Sequence, residues 1–397
     1  MGGLVVLMIT AFVDMVGVLA VIPLLPYYAL RFGANGLVIG LLVSSFSVAQ
    51  LAAAPLWGRI SDRYGRRPAL LAGLAASVIA YIVFGFANSI WLLFLSRIVQ
   101  GAGGGTVSVI QAYVADATKP EDRAKALGWL SAATNLGVTI GPVFGSLTRG
   151  IGMEAPGLFA AALCVVNILF AYRFLPESHT ESGARTGMQT ITSRAAIARV
   201  LGNPGEPASR LIWIYAIGMG AFQMLNAILA LFLAKQFAVN ERAIGFFFMY
   251  VGAISVVTRA FVLGKMVDYF GEAKLSRIGL ALMTAGLVMM PLTHDYATLA
   301  IAVACIPLGT AFTFPCVTGL LSQVISKHER GLYMGVQQTF GGMARVLAPI
   351  WAGFAWDHLG VPVPFWTGAL LVGGTFFLGM GLETYVRRPR PETARAA

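Results

Sequence analysis

Long apolar runs are the feature that most constrains how this chain folds. Turn residues and charges divide the sequence into twelve such runs, at about residues 4–30, 36–60, 68–88, 90–114, 124–149, 156–175, 209–236, 241–264, 274–293, 296–326, 330–356 and 362–386. A helix needs about 20 apolar residues to cross the hydrocarbon core of a membrane. The runs are too long and too continuously apolar for the alternating strands of a barrel. The sequence therefore predicts an all-α integral membrane protein with twelve transmembrane helices.

Composition excludes the main soluble classes of protein. Only 11% of the residues are charged and 57% are hydrophobic, whereas soluble globular proteins carry about 25% charged residues. A soluble chain of this composition would lack the polar groups to cover its surface, which excludes a soluble enzyme. The four histidines lie in loops or at run ends without metal-ligand spacing, and the three cysteines lie in apolar runs. We therefore predict no catalytic residue, no metal site and no cofactor other than protons as the coupling ion.

The basic residues indicate the orientation of the helices. Alternate loops, together with the tail 387–397, hold 21 of the 28 Lys and Arg residues, and the opposite loops hold only Arg31, Arg149, Lys235 and Arg242. Cytoplasmic loops of membrane proteins carry such an excess. The bias predicts that both termini and the longest polar segment are cytoplasmic, in a bacterial-type plasma membrane. The net charge of +11 is thus explained by topology, and we predict lipid surroundings and no nucleic-acid partner.

The two sets of six runs resemble each other at a steady offset. Residues 58–65, after the second run, match residues 264–271, after the eighth, and Pro142 in the fifth run matches Pro349 in the eleventh. Chance recurrence of Gly and Pro is the alternative, but several matches in one register disfavour it. Duplicated halves around a midplane site are common in secondary transporters. The repeat predicts two pseudo-symmetric six-helix bundles, 1–175 and 209–386, joined by a cytoplasmic loop, 176–208, and followed by a tail, 387–397.

Four short motifs in chain order carry a family resemblance. Asp14 precedes Pro23 and Pro26 in the first run, residues 58–68 read GRISDRYGRRP, residues 95–101 read LSRIVQG, and residues 137–145 read GVTIGPVFG. They resemble motifs of the first helix, the loop after the second helix, the fourth helix and the fifth helix of the major facilitator superfamily. The resemblance is to its twelve-helix drug:proton antiporters, nearest to the tetracycline-exporter branch. It implies export of a lipophilic or amphipathic small molecule in exchange for protons by alternating access.

Two departures limit what the resemblance implies. The fifth-helix motif ends in Gly145 and Ser146, where a second glycine is usual. The tetracycline exporters carry acids within their third and ninth helices, but residues 70–87 and 278–291 contain none. The resemblance therefore does not extend to tetracycline as the substrate. The alternative function is transport of lipids or metabolites by the same architecture without proton antiport.

Asp14 and Arg97 are the predicted proton-coupling residues. Asp14 is the only acid well inside an apolar run, about 15 Å along a helix at 1.5 Å per residue. An ionised carboxylate is costly at that depth, so Asp14 is predicted to bind and release a proton; the alternative is a structural anchor. Arg97 lies at a compatible depth, and in the resembled family this arginine is linked to proton transfer. The alternative for Arg97 is a packing role with hydrogen bonds to helix carbonyls.

Polar and aromatic side chains at middle depths predict a substrate cavity. Amides often join membrane helices to each other, but as a set with aromatic neighbours they favour a cavity for an amphipathic molecule. Arg345 could attract an anionic substrate group or bond to carbonyls. The predicted cavity residues are Phe46, Gln50, Asn135, Gln223, Asn226, Gln337, Gln338 and Arg345.

Two further sets have predicted mechanical roles in a protein expected to act as a monomer. The loop after the second run is a predicted cytoplasmic gate, in which Arg66 reaches Asp116 and Asp62 caps a helix of the other half in the outward-facing state. The gate residues are Gly58, Asp62, Arg63, Gly65, Arg66, Arg67 and Asp116. A second set, with small residues that permit close helix packing and a proline that permits a kink, comprises Gly137, Gly141, Pro142 and Gly145.

Overall fold

The computed structural model describes residues 3–104, 106–118, 122–177, 193–326 and 329–385, and these residues are almost entirely helical. The spanning helices are α1 (Gly3–Arg31), α2 (Gly36–Tyr64), α3 (Arg66–Gly85), α4 (Ile90–Gly103 and Thr106–Ala117), α5 (Arg123–Arg149), α6 (Ala155–Phe174), α7 (Pro207–Phe237), α8 (Ile244–Phe270), α9 (Glu272–Leu292), α10 (Tyr296–Val324), α11 (Arg330–His358) and α12 (Pro362–Leu378). A short connecting helix, Ser193–Gly202, precedes α7. The predicted tail 387–397 and part of the predicted loop 176–208 lie outside the described residues.

Membrane-crossing character is clearest in eight of the described helices. By length and apolarity α1, α2, α3, α6, α7, α8, α9 and α10 can each cross a membrane, and the first segment of α4 and α12 are shorter apolar helices. Helices α5 and α11 are as long as the others, with 27 and 29 residues. The number and order of the helices agree with the sequence prediction.

Two predicted boundaries are wrong for reasons that glycine explains. The fourth run was expected to be one helix, but α4 is interrupted after Gly103, where Gly104 turns out of helical geometry. The last run was expected to continue to residue 386, but α12 ends at Leu378, before Gly379 and Gly381. Gly381 has φ of +74°, a conformation that side chains with a Cβ rarely adopt.

The repeat is visible in the backbone. Gly65 joins α2 to α3 with φ of +100°, and Gly271 joins α8 to α9 with φ of +76°. Both positions are tight one-residue links between helices, and both need the left-handed conformation that glycine supplies without steric cost. The two halves thus share their sharpest turn at equivalent positions.

Polar side chains cap the N-termini of helices that follow the loops with few basic residues. The side chain of Asn35 accepts a hydrogen bond from the Val38 N–H at the start of α2. Asp295 accepts from the N–H groups of Thr298 and Ala297 at the start of α10. The hydrogen bonds from Thr298 hold the pKa of Asp295 below its usual value. These caps satisfy donors that helices leave free at their N-termini.

The two six-helix halves meet along two helix pairs. Helix α2 of the first half packs against α11 of the second, and α5 of the first packs against α8 of the second. We call the end of the molecule with the α1–α2, α5–α6, α7–α8 and α11–α12 turns the closed end. The other end, with the α2–α3 and α8–α9 turns, is the open end.

Candidate functional site

A cavity of about 590 Å³ lies between the halves on the open-end side. Its lining includes Asp14 on α1, Thr134 on α5, Thr318 on α10 and Met334 on α11, so both halves contribute to the wall. Met334 is four residues from the open end of α11, about 6 Å at 1.5 Å per residue. Asp14 is eleven residues from the start of α1, about 16 Å deep. The cavity therefore runs from near the open end to the middle of the bundle.

Asp14 lies at the inner part of this cavity, with 4% of its surface exposed. Its neighbour Tyr81 on α3 packs against Gly17, one turn along α1, and is in electrostatic range of the Asp14 carboxylate. The Asp14 side chain is thus placed against the space between the halves and not against lipid. A carboxylate buried in this way and reachable from one side is suited to binding and releasing a proton.

Arg97 is connected to the neighbourhood of Asp14 through two other side chains. Its guanidinium donates to the side-chain oxygen of Gln100, and the Gln100 amide donates to the Tyr81 hydroxyl at 3.1 Å. Arg97 also lies over the ring of Phe46, 4.6 Å from its centroid. Among the described residues, the contacts of Arg97 in this conformation do not include a direct ion pair with Asp14. Gln100 and Tyr81 are the residues that the sequence analysis missed.

A signal for Gln100 was present in the sequence. Gln100 follows Arg97 by three residues, so the two side chains share one face of α4. Tyr81 gave no such signal, because it lies in an apolar run of another helix and only the packing of α3 against α1 and α4 brings it near.

In this conformation none of the predicted cavity residues is part of the described cavity lining. Two of them form hydrogen bonds to residues that do line the cavity. Asn135 donates to the carbonyl oxygen of Ser131, a lining residue of the same helix, at 2.7 Å. Gln337 is 1% exposed, and its oxygen accepts from the hydroxyl of the lining residue Thr318 at 3.4 Å. Gln50 donates to the Gly104 carbonyl at 3.2 Å, at the interruption of α4. None of these three amides lines the cavity in this conformation, and among the described residues the buried Gln337 side-chain nitrogen has no hydrogen-bond partner.

The other predicted cavity residues of the second half lie on α7 and α11. Gln223 and Asn226 are half-buried on α7. Gln338 donates to the hydroxyl of Tyr215 at 3.3 Å. Arg345 is half-buried on α11 and belongs to none of the ion pairs among the described residues. Their roles in binding a substrate stay predictions.

The closed end is joined across the halves by ion pairs. Glu241, in the α7–α8 turn of the second half, forms ion pairs with Arg149 of the first half at 2.5 Å and with Arg31 of the first half at 2.8 Å. The side chains of Glu241 and Arg149 are only 13% and 14% exposed. One largely buried carboxylate thus bridges two cations from the opposite half, one largely buried (Arg149) and one partly exposed (Arg31).

Hydrogen bonds to backbone groups add to the closed end. The Asp357 carboxylate of α11 accepts from the N–H groups of Gly36 and Leu37, at the N-terminus of α2, at 2.9 and 2.8 Å. Ser146 of α5 accepts from the Gly245 N–H at 2.8 Å and donates to the Glu241 carbonyl at 3.1 Å. The serine that departs from the family motif therefore bonds α5 to the start of α8.

The predicted gate residues of the open end are bonded within the first half. Arg66 donates to Asp116 at 3.0 Å and to Asp62 at 2.7 Å. The backbone N–H groups of Arg66 and Arg67 donate to the carboxylate of Glu177. Arg63 lies over the ring of its neighbour Tyr64. A Cβ added at Gly58 would meet nothing within 4 Å, so α2 is unpacked here.

The glycines of the fifth-helix motif lie against α1. A Cβ added at Gly137, Gly141 or Gly145 would lie 2.5, 2.8 or 2.0 Å from a carbonyl oxygen of α1. Helix α5 therefore approaches the backbone of α1 too closely for any side chain at these positions. The carbonyl of Pro142 in turn faces Gly245 of α8. Helix α5 is thus held in close backbone contact with α1 on one side and with α8 of the second half on the other.

Comparison with known proteins agrees with this architecture. The family model of the Major Facilitator Superfamily matches residues 7–349 and 211–397. The chain belongs to the major facilitator superfamily. It is therefore a multi-pass membrane transporter and not an enzyme.

Individual members of the superfamily match over almost the whole chain. Tetracycline resistance protein, class B, of Escherichia coli is 25% identical over 376 residues, covering 93% of this chain and 92% of that protein. Multidrug resistance protein 1 of Bacillus subtilis is 27% identical over 378 residues, covering 93% and 94%. The crystal structure of the human organic anion transporter MFSD10 (TETRAN) has a TM-score of 0.70 at 24% identity, covering 95% and 98%, and shows the shared major facilitator fold.

Proposed function

We propose that this protein exports lipophilic or amphipathic drug-like molecules from the cytoplasm in exchange for protons. Both termini and the open end would lie in the cytoplasm, and the closed end would face the outside of a bacterial-type plasma membrane. The excess of basic residues in the open-end loops supports this orientation. Relatives named for resistance to tetracycline and to multiple drugs support a drug-like substrate.

The observation that carries the proposal is the position of Asp14. A carboxyl group lies about halfway across the bundle and lines a cavity between the halves that is nearest the open end. In the state described here, that carboxyl can exchange a proton with the cytoplasm through the cavity. When the halves rock and the closed end separates, the same carboxyl would exchange with the outside.

The polar chain behind Asp14 supports a role in coupling. Tyr81, Gln100 and Arg97 form a buried hydrogen-bonded series that ends in a cation. When Asp14 loses its proton, the Tyr81 hydroxyl and the Arg97 charge favour the resulting anion; when Asp14 is neutral, Arg97 remains held by Gln100 and the Phe46 ring. Arg97 is thus a positioning residue that acts on Asp14 through its neighbours.

The test is proton movement in vesicles. The purified protein is reconstituted with a pH-sensitive dye inside, and lipophilic compounds are added in turn. Native protein is expected to couple the movement of at least one compound to protons, and Asp14→Asn is expected to abolish the coupled proton signal. Asp295→Asn is the matched control, since Asn caps a helix as well as Asp and this loop residue is remote from the cavity.

Two results would contradict the proposal. Proton movement that persists in Asp14→Asn would remove Asp14 from the coupling step. If native protein transports compounds but none of them evokes proton movement, the result would favour the alternative of a lipid or metabolite transporter that lacks proton antiport.

A further inference from the structure

The second half of the cavity region carries positive charge without a matching acid. Arg259 on α8 and Arg345 on α11 lie at middle depths. The acids of the second half (Glu241, Asp268, Glu272, Asp295, Glu329, Asp357 and Glu383) all lie in turns or near helix ends. At the offset of the repeat, Arg259 corresponds to Ala53 and Arg345 to Val138. The cations are therefore particular to the second half and are not part of the shared scaffold.

Arg259 lies on the face of α8 that is directed at the first half. Gly245 and Gly252 both touch α5 of the first half, at Pro142 and Thr139. Arg259 follows Gly252 by seven residues, which is two helical turns on the same face. Farther toward the open end of α8, a Cβ added at Gly264 would meet nothing within 4 Å, so α8 is less closely packed beyond Arg259.

The local backbone of α8 is irregular at this arginine. Residues Thr258–Val262 form a π-helical turn, with α-helix on both sides. Such single turns leave the regular hydrogen-bond pattern and occur often at functional sites. The Nε of Arg259 is buried and has no hydrogen-bond partner among the described residues. A buried guanidinium donor without an acceptor costs free energy unless an incoming group supplies one.

Tyr215 is a polar and aromatic neighbour of Arg259 and is itself in contact with Gln338 and Phe314. Tyr215 of α7 is in electrostatic range of the guanidinium, and its hydroxyl accepts from the Gln338 amide at 3.3 Å. The Tyr215 ring packs on Phe314 of α10, with 5.4 Å between centroids. Gln338 follows the cavity-lining Met334 by one turn and so shares its face of α11. Through Gln338, the Tyr215 hydroxyl is thus joined to the face of α11 that carries the cavity-lining Met334.

We infer that Arg259, with Tyr215 beside it, binds the anionic group of an amphipathic organic acid such as a carboxylate. The guanidinium offers a planar set of donors that matches a carboxylate, and the Tyr215 and Phe314 rings offer an apolar surface to the body of the molecule. This inference deepens the proposed function, on which it rests, by naming a class of exported compound. The proton site at Asp14 is on the opposite half, so the two charges would not compete for one position.

Equilibrium binding to acid–amide pairs tests the inference without a proton gradient. The probes are 1-pyrenebutyrate, 2-naphthoate and decanoate, each measured beside its primary amide on native protein in nanodiscs at neutral pH. At least one acid is expected to bind about tenfold more tightly than its amide, since a charge-assisted hydrogen bond is about twice as strong as a neutral one. Arg259→Gln is expected to remove that preference while amide binding changes less than about twofold, and Arg259→Lys to retain part of it.

The matched control is Arg242→Gln, which removes the same charge from an exposed turn of the same half. Equal binding of acid and amide by native protein, for all three pairs, would overturn the inference even if the Arg259 variants failed to fold. An acid preference that survives Arg259→Gln would also overturn it, as would equal losses for acid and amide, which are expected if Arg259 serves only to stabilise the packing of α8.

The same proteins in the vesicle assay separate the two proposals. Proton-coupled export of neutral or cationic compounds without any acid preference in binding would leave the export proposal standing and remove the anion site. Selective binding of acids without proton-coupled movement would leave the anion site standing and remove the proposal of proton-coupled export.

Discussion

The two ends of the interface between the halves differ in how their polar groups are satisfied. At the closed end, Glu241 and Asp357 each bond to groups of the opposite half. At the open end, Asp62 and Asp116 bond to Arg66 of their own half, and Glu272 of the second half accepts from Gln323 of its own half at 2.8 Å. The recognisable loop motif is therefore at the end where the ion pairs and side-chain hydrogen bonds named here stay within one half, as far as the described residues show.

Under the proposed alternating access, this difference would let the two ends of the interface open in turn. Groups at the open end are satisfied locally, so that end can stay apart without leaving buried charges unpaired. Groups at the closed end are satisfied only by the partner half, so they oppose separation. In the proposed rocking motion, the closed-end contacts would hydrate while new contacts form at the open end, and a small change in either set would shift the population of states.

The largest expected effect comes from removing the bridging carboxylate. Glu241→Gln leaves Arg149 as a nearly buried cation without its anion, and breaking such a pair costs about 3 kcal/mol. We expect the closed end to separate in roughly 100-fold more molecules, measured as the distance between spin labels placed at Ile151→Cys and Leu359→Cys. These two exposed sites lie in closed-end turns of opposite halves.

Glu383→Gln is the matched control for Glu241→Gln. Glu383 pairs with Arg277 inside the second half, so its loss is expected to leave the spin-label distance unchanged. A similar shift in both variants would mean that general destabilisation, and not the bridge across the halves, sets the distance.

A pair of glycines on one helix gives an intermediate effect. A Cβ at Gly40 of α2 would lie 2.2 Å from the Pro349 carbonyl oxygen of α11, whereas a Cβ at Gly58 of α2 would meet nothing within 4 Å. Gly40→Ala is expected to weaken the closed end by about 2 kcal/mol through overpacking. Gly58→Ala is expected to keep the described state, since Ala favours a helix interior over Gly.

Labelling with a small thiol reagent can follow this glycine pair. A cysteine at Leu51→Cys, beside Gly342 of α11, should react faster in Gly40→Ala than in the parent protein and no faster in Gly58→Ala. Faster reaction in Gly58→Ala would show that the open end is packed, which contradicts the comparison.

The smallest effect is expected from the two aspartates near helix C-termini. Asp357→Asn weakens two hydrogen bonds to the N-terminus of α2 and is expected to cost the closed end about 1 kcal/mol, roughly fivefold in population. Asp62→Asn is expected to leave the closed end unaffected, because its partner Arg66 keeps Asp116. The same spin-label pair measures both, and an equal response would remove the distinction between the ends.

Much of the fold was predictable because composition indicates membrane helices and the spacing of shared segments indicates their repeat. Long apolar runs set the number of helices, and the shared loop segment placed Gly65 and Gly271 at equivalent turns. The reach of Arg66 to Asp116 also followed from the order of the helices. Boundaries failed at Gly104 and Gly379, where a glycine ended a helix within an apolar run.

The site was less predictable because depth along a helix does not determine which way a side chain points. Asp14 lines the cavity, and its depth and charge marked it in the sequence. Gln50 and Asn135 have similar depths but bond to nearby backbone carbonyls. The bridge at Glu241 could not be found from the sequence, since it exists only in a state with the closed end joined.

The central claim is that protonation of Asp14 controls which end of the interface is open. Spin-label distances at the closed end (Ile151→Cys with Leu359→Cys) and at the open end (Tyr64→Cys with Tyr269→Cys) would be measured between about pH 5 and pH 8. In the native protein we predict opposite changes at the two ends as pH varies, and in Asp14→Asn we predict that the pH dependence is lost. A pH dependence that is unchanged in Asp14→Asn, or a distance change at only one end, would contradict this control by Asp14.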